Sequence, residues 1–137
     1  SDNKSRPTFR GKDQTMKYVR LYTDLNGESH FEDVEVELTL ADFAPPAPPL
    51  YVSALTPASR FGFLSAPPGW YGDWHPAPRR QIMFYLSGEI EAEVSSGEVR
   101  RFGPGSVTLA EDITGKGHRS RVVSTSDVFG VVIQLDD

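Results

Sequence analysis

The chain has 137 residues, 38% of them apolar and 24% charged, with a formal net charge of −5, 12 glycines, 11 prolines and no cysteine. That composition describes about one soluble globular domain, and the negative balance argues against nucleic acid or an anionic membrane as partner, since both need a basic patch. Without cysteine there is no disulfide, thiolate zinc site or cysteine nucleophile, so any metal must use His, carboxylate or amide ligands.

Residues 1–16 are polar and aperiodic and read as a flexible tail or added remnant ending at Met16. No run of about 18 apolar residues exists and the start lacks the apolar core of a secretory signal, so the expected location is cytoplasmic. Residues 17–49 read as N-terminal strands and a connector. In "HFEDVEVELTL", Phe31, Val34, Val36, Leu38 and Leu40 fall largely on alternate positions, as in a strand with one buried face. "FAPPAPPL" at 43–50 cannot continue a central strand or a helix, because its prolines lack backbone donors, and reads as a rigid crossover.

From residue 50 to 137 the chain breaks into short apolar stretches bounded by Gly, Pro, Ser or Asp, among them "RFGFLSA", "QIMFYLS", "EIEAEVS", "SVTLA" and "DVFGVVIQL". No stretch has a helical period, so the expected class is all-β, a sandwich or barrel. Two hairpins are expected, turning at Ser87-Gly88 and at Ser96-Gly97. There is no phosphate-cradling glycine loop, nucleophile elbow or H-E-x-x-H helix, which removes the best support for hydrolase and nucleotide-binding readings.

The stretches "GDWHPAPRRQIMFYLSG" and "RFGPGSVTLAEDITGKGHRSRV" together resemble the two motifs of the cupins, small double-stranded β-helix (jelly-roll) barrels. The first family motif is similar to G-x5-H-x-H-x3,4-E-x6-G, the second to G-x5-P-x-G-x2-H-x3-N. Counting back from Gly88, the glutamate position falls on Gln81, the second histidine on Ala77 and the first on His75, while His118 answers to the last histidine. The resemblance implies a jelly-roll barrel with an N-terminal strand extension. It also implies a metal set reduced to His75, Gln81 and His118, holding either no metal or a weakly bound Fe, Zn, Mn or Ni, because two imidazoles and an amide bring no charge. In a second register Asp73 supplies a carboxylate.

Both histidines can act as acid or base near neutral pH without a metal, which makes His118 and His75 the candidate catalytic residues. Period two places Gln81, Met83 and Tyr85 on one face of their strand and Ile82, Phe84 and Leu86 on the other. The candidate substrate contacts are Arg79, Tyr85, Met83, Trp74, Trp70 and Phe63, with Arg79 able to hold a carboxylate or phosphate. Arg119 and Arg121 are expected to face outward. Glu111 and Asp112 either orient His118 or form its turn. Two functions stay open, an isomerase, lyase or oxygenase type of enzyme and a non-catalytic small-ligand or sensory module. The partners expected are a small molecule and a second copy, the homodimer contact lying on Lys17–Leu40.

Overall fold

The computed structural model describes residues 14–137, so most of the 1–16 tail lies outside the described residues. The chain divides into two units: residues up to Lys17 with Glu35–Leu55, and Tyr18–Val34 with Thr56–Asp137. The elements are β1 (Gln14–Thr23), β2 (Ser29–Ala41), β3 (Leu50–Val52), β4 (Ala58–Ala66), β5 (Tyr71–His75), β6 (Gln81–Ser87), β7 (Ile90–Val94), β8 (Val99–Phe102), β9 (Val107–Ala110), β10 (His118–Val122) and β11 (Val128–Leu135). No helix occurs among the described residues.

In the first unit, β3 pairs antiparallel with the end of β2, Thr39 facing Val52. The proline-rich stretch is therefore a returning loop, with Ala47 N–H bonded to the Ala44 carbonyl at 2.9 Å, and not the crossover expected. Residues 18–34 and β3 each group differently from a boundary at 49/50, because β1 and β2 are long strands whose halves contribute to different units. β1 starts at Gln14, inside the segment read as tail.

The second unit is built by alternation. From β4 onward the chain passes between a larger sheet, holding β4, β6, β9 and β11, and a smaller one ordered β5-β10-β7-β8. β11 lies between β4 and β6, antiparallel to both; β9 pairs antiparallel with β6 and parallel with β1. This sheet-to-sheet winding is that of a double-stranded β-helix, so the all-β jelly-roll expectation holds.

The period-two pattern explains the core. In β7, Ile90, Ala92 and Val94 are buried while Glu91 and Glu93 lie between them, and Leu21, Phe31, Ala66, Tyr85, Phe102, Val122 and Val128 complete the cluster. Tyr85 stacks on Phe102 with centroids 5.8 Å apart, and Phe31 meets Phe102 edge-on. The hairpin at Ser96-Gly97 joins β7 to β8, Gly97 N–H closing on the Val94 carbonyl at 2.9 Å. The turn at Ser87-Gly88 is not a hairpin. It is a corner, because β6 belongs to the larger sheet and β7 to the smaller.

Candidate functional site

A cavity of about 300 Å³ opens inside the second unit. Its polar lining comes from His75, His118, Gln81, Tyr85, Thr108, Ser120 and Ser65, and its apolar wall includes Leu21, Met83, Ile90, Phe102, Val128 and Trp70. The four positions picked out by the motif resemblance, His75, Ala77, Gln81 and His118, all border it. No Lys or Arg among the described residues does.

The two histidines meet through strand register. β5 and β10 run antiparallel with His75 opposite His118, and the rings lie 4.8 Å apart at a 55° tilt. His118 Nδ1 is 2.6 Å from Asp112 Oδ2, and Asp112 has no solvent exposure. An ionised carboxylate only accepts, so Nδ1 carries the hydrogen and Nε2 of a neutral His118 keeps the lone pair. His75 Nδ1 stands 2.6 Å from the Asp73 carbonyl, which likewise fixes Nδ1 as the donor. The other Asp112 oxygen, Oδ1, is buried without a hydrogen-bond partner among the described residues.

Gln81 is less available than the motif implies. Gln134 sits opposite it on β11 and donates from Nε2 to Gln81 Oε1 at 3.2 Å, engaging one of the two lone pairs of the atom that would ligate a metal. Ala77 offers no donor, and no group of three His, Cys, Asp or Glu converges among the described residues. Asp73 does not border the cavity; its Oδ1 accepts from the Trp74 N–H at 2.8 Å and from Tyr71 Oη, which hold its carboxyl below the usual range. Two neutral imidazoles and an engaged amide do not fit the charge and ligand number of a resident divalent cation.

The polar residues below the histidines stay uncharged. Tyr85 Oη lies 3.5 Å from Thr108 Oγ1, and burial pushes the phenol up against the opposing effect of that bond. Trp70 closes one side near Gly72, where a Cβ would stand only 2.7 Å from the indole ring.

Glu111, next to Asp112, anchors the loop before His118. Arg80 reaches its Oε2 at 2.7 Å, Arg20 bonds its Oε1, and its backbone N–H donates to the Leu21 carbonyl at 2.8 Å. Burial alone would raise its carboxyl, but the two guanidiniums outweigh it and hold it below the usual range. A lowered folded pKa adds stability that is present above the unfolded value of about 4.3 and lost as pH falls through the folded value. Glu111→Gln is expected to cost about 1–2 kcal/mol at pH 7 in urea unfolding, the gap to wild type closing below about pH 4. A gap constant from pH 7 to 3 would contradict the ion-pair account.

Of the candidates, His75, His118, Gln81, Met83, Tyr85 and Trp70 come together at the cavity. Three do not. Trp74 lies under Arg119, 5.1 Å from its guanidinium carbon. Phe63 meets Phe61 edge-on, both largely exposed, on the side of β4 opposite Leu64, which borders the cavity. Arg79 is half-buried and outside the lining. Arg119 and Arg121 face outward as expected, paired with Glu93 at 2.8 Å and Glu91 at 3.1 Å. Thr108, Ser120 and Gln134 are not among the sequence candidates. Parity with His118 on β10 is the signal that points to Ser120.

No family model matches the chain, and no curated protein does. Among solved structures, it is similar to an RmlC-like cupin family protein from Methanocaldococcus jannaschii at 10% identity, over 96% of this chain and 91% of that one, with a TM-score of 0.47. It is also similar to the DMSP lyase DddQ from Ruegeria pomeroyi, at 18% identity over 96% of this chain and 55% of that one, TM-score 0.49. A conserved Streptococcus pyogenes protein of unknown function matches at 14% identity, TM-score 0.44, over 56% of this chain, which spans 63% of that protein's length. These likenesses concern the fold alone. No helix among the described residues is long and apolar enough to cross a membrane.

Proposed function

We propose that the cavity binds a small uncharged organic molecule and moves a proton on it, with His118 as the base and no resident metal. The observation that carries this reading is the fully buried Asp112 carboxylate 2.6 Å from Nδ1 of His118, itself a lining residue of a cavity that no described Lys or Arg borders. A cavity without a fixed cation would leave the charge of a carboxylate or phosphate ligand uncompensated, which is costly away from water. Its volume is at the lower end of small-molecule sites, roughly 300–1,000 Å³.

In this reading, His118 Nε2 takes a proton from carbon beside a ligand carbonyl, and Asp112 stabilises the imidazolium that forms. Thr108, Tyr85 and the amide of Gln81 supply hydrogen bonds to the carbonyl and hydroxyl oxygens of the ligand. The protonated Nε2 of His118 then gives the same proton back at the neighbouring atom, so the isomerisation makes no net proton change, and the His75 ring stands 4.8 Å from the His118 ring. A binding-only module is the second reading, favoured by the mostly apolar lining.

Incubating the metal-stripped protein in D₂O with a panel of uncharged hydroxyketones and lactones separates the two readings. Deuterium entry beside the carbonyl, lost about 10²–10⁴-fold in His118→Ala while ligand affinity changes little, is the expected result. Ligand binding with no exchange in wild type would support the binding module instead, and exchange that depends on added metal would contradict the metal-free base.

A further inference from the structure

Ser29, Thr108 and Asp112 are the buried polar side chains among the described residues. Thr108 lines the cavity and Asp112 holds Nδ1 of His118. Ser29 borders no part of the cavity, yet it stands on the inward side of β2, two residues before the core residue Phe31, where the period calls for an apolar side chain. A hydroxyl is costly there unless it is hydrogen-bonded, so its partners show its use. Ser29 Oγ accepts from the Ser95 N–H at 2.8 Å and donates to the Gly117 carbonyl at 2.5 Å. Ser95 and Gly117 lie one residue beyond Val94 and His118, the facing pair at which the β7–β10 ladder ends. The hydroxyl is thus a wedge that relays one hydrogen bond between the two strands. Its own backbone is fixed as well, the Ser29 N–H donating to Ser95 Oγ at 2.6 Å and its carbonyl accepting from the Ser96 N–H at 3.1 Å. The rest of the β1–β2 turn runs along the same loop. Thr23 Oγ1 donates to the Thr114 carbonyl at 2.9 Å and the Lys116 N–H to the Gly27 carbonyl at 3.2 Å.

We infer that Ser29 is a positioning residue for His118: its hydroxyl fixes the plane of the Gly117–His118 peptide, and so the direction in which Nε2 of His118 faces the cavity. The inference rests on the reading of His118 as the base. Gly117, at a φ of +72° and without a Cβ, gives that peptide a freedom that other residues would deny it, and the bond to its carbonyl removes the freedom. Asp112 orients the ring through Nδ1, while Ser29 holds the backbone that carries the ring. Two buried polar groups therefore fix one histidine from its two ends, the support a reacting group needs when small displacements cost rate.

Ser29→Ala, folded by circular dichroism and metal-stripped, tests it against the same hydroxyketones and lactones in D₂O. Deuterium entry is expected to fall about 10–100-fold while ligand affinity stays within about threefold of wild type. Ser124→Ala is the control. It breaks the same kind of relay, from the Glu89 N–H to the Ser126 carbonyl at the corner between β6 and β7, and should leave exchange unchanged. A second readout needs no activity: the ring ¹H–¹⁵N signals of His118 and its Overhauser contact with the His75 ring, 4.8 Å away, should change in Ser29→Ala and not in Ser124→Ala. Ser29→Cys keeps a weaker donor and covers an alanine variant that does not fold; it should move the same ring signals in part. Wild type without any exchange would end the base reading and leave the ring spectra to decide the positioning. Unchanged ring signals in Ser29→Ala or in Ser29→Cys, or equal losses of exchange in Ser29→Ala and Ser124→Ala, would overturn the inference.

Discussion

Gly117→Ala is expected to be among the most damaging single-methyl changes in the chain, lowering stability by about 2–5 kcal/mol in urea unfolding. Gly117 holds a φ of +72°, a region that costs an L-residue roughly 1–2 kcal/mol. Its added Cβ would also overlap the His75 carbonyl oxygen and Pro76 N, which are backbone atoms without a rotamer to yield. Pushing them apart adds a clash of about 1–3 kcal/mol, and the total is a large part of a typical stability of roughly 5–15 kcal/mol. The same displacement separates His75 from His118, so any exchange activity should fall with it. Gly105→Ala is the control: its φ is +90°, but nothing lies within 4 Å of the added carbon, so it should cost only about 1–2 kcal/mol. Equal losses at the two sites would show that the close approach of β5 and β10 is not what Gly117 serves.

Asp112→Ala is expected to be nearly as severe, at about 3 kcal/mol, because it removes a fully buried carboxylate and leaves the Nδ1–H of His118 without an acceptor. Asp112→Asn separates the structural from the chemical role. The amide oxygen can still accept from Nδ1, so stability should fall by only about 1 kcal/mol. Without the negative charge the imidazolium loses its support, and exchange should drop by about 10²–10⁴-fold while ligand affinity holds. Comparable exchange rates for Asp112→Asn and wild type would leave the carboxylate a purely structural part.

The contrast between Asp112 and Glu111 shows where a sequence stops being legible. Both stand on one loop and both suit either a turn or a histidine partner, but only the packed strands decide that Asp112 turns inward to His118 while Glu111 meets Arg20 and Arg80. The Ser87-Gly88 turn escapes for a similar reason. Gly88 and Gly97 both take positive φ, so local turn chemistry is alike, and only long-range pairing makes one a corner and the other a hairpin. By contrast, the alternation of Ile90, Ala92 and Val94 fixes a face from the sequence, and the spacing back from Gly88 finds the cavity positions His75, Ala77 and Gln81. Phe63 lies on the unexpected face because aromatics on either side of a strand look equally like pocket walls. A clue stands in β6, whose Ile82, Phe84 and Leu86 are apolar opposite an apolar Met83 and Tyr85, the pattern of a strand covered on both sides.

Long-range ¹H–¹⁵N correlation of the histidine rings, recorded on the stripped protein before and after one equivalent of Zn²⁺, is the decisive measurement for a metal-free His118 base. The expected result is that His118 carries its hydrogen on Nδ1 with a lone pair on Nε2, that Asp112→Ala alters this pattern, and that Zn²⁺ leaves the rings of His75 and His118 unchanged. A hydrogen on Nε2 of His118, or a stoichiometric shift of both Nε2 resonances on adding Zn²⁺, would contradict it.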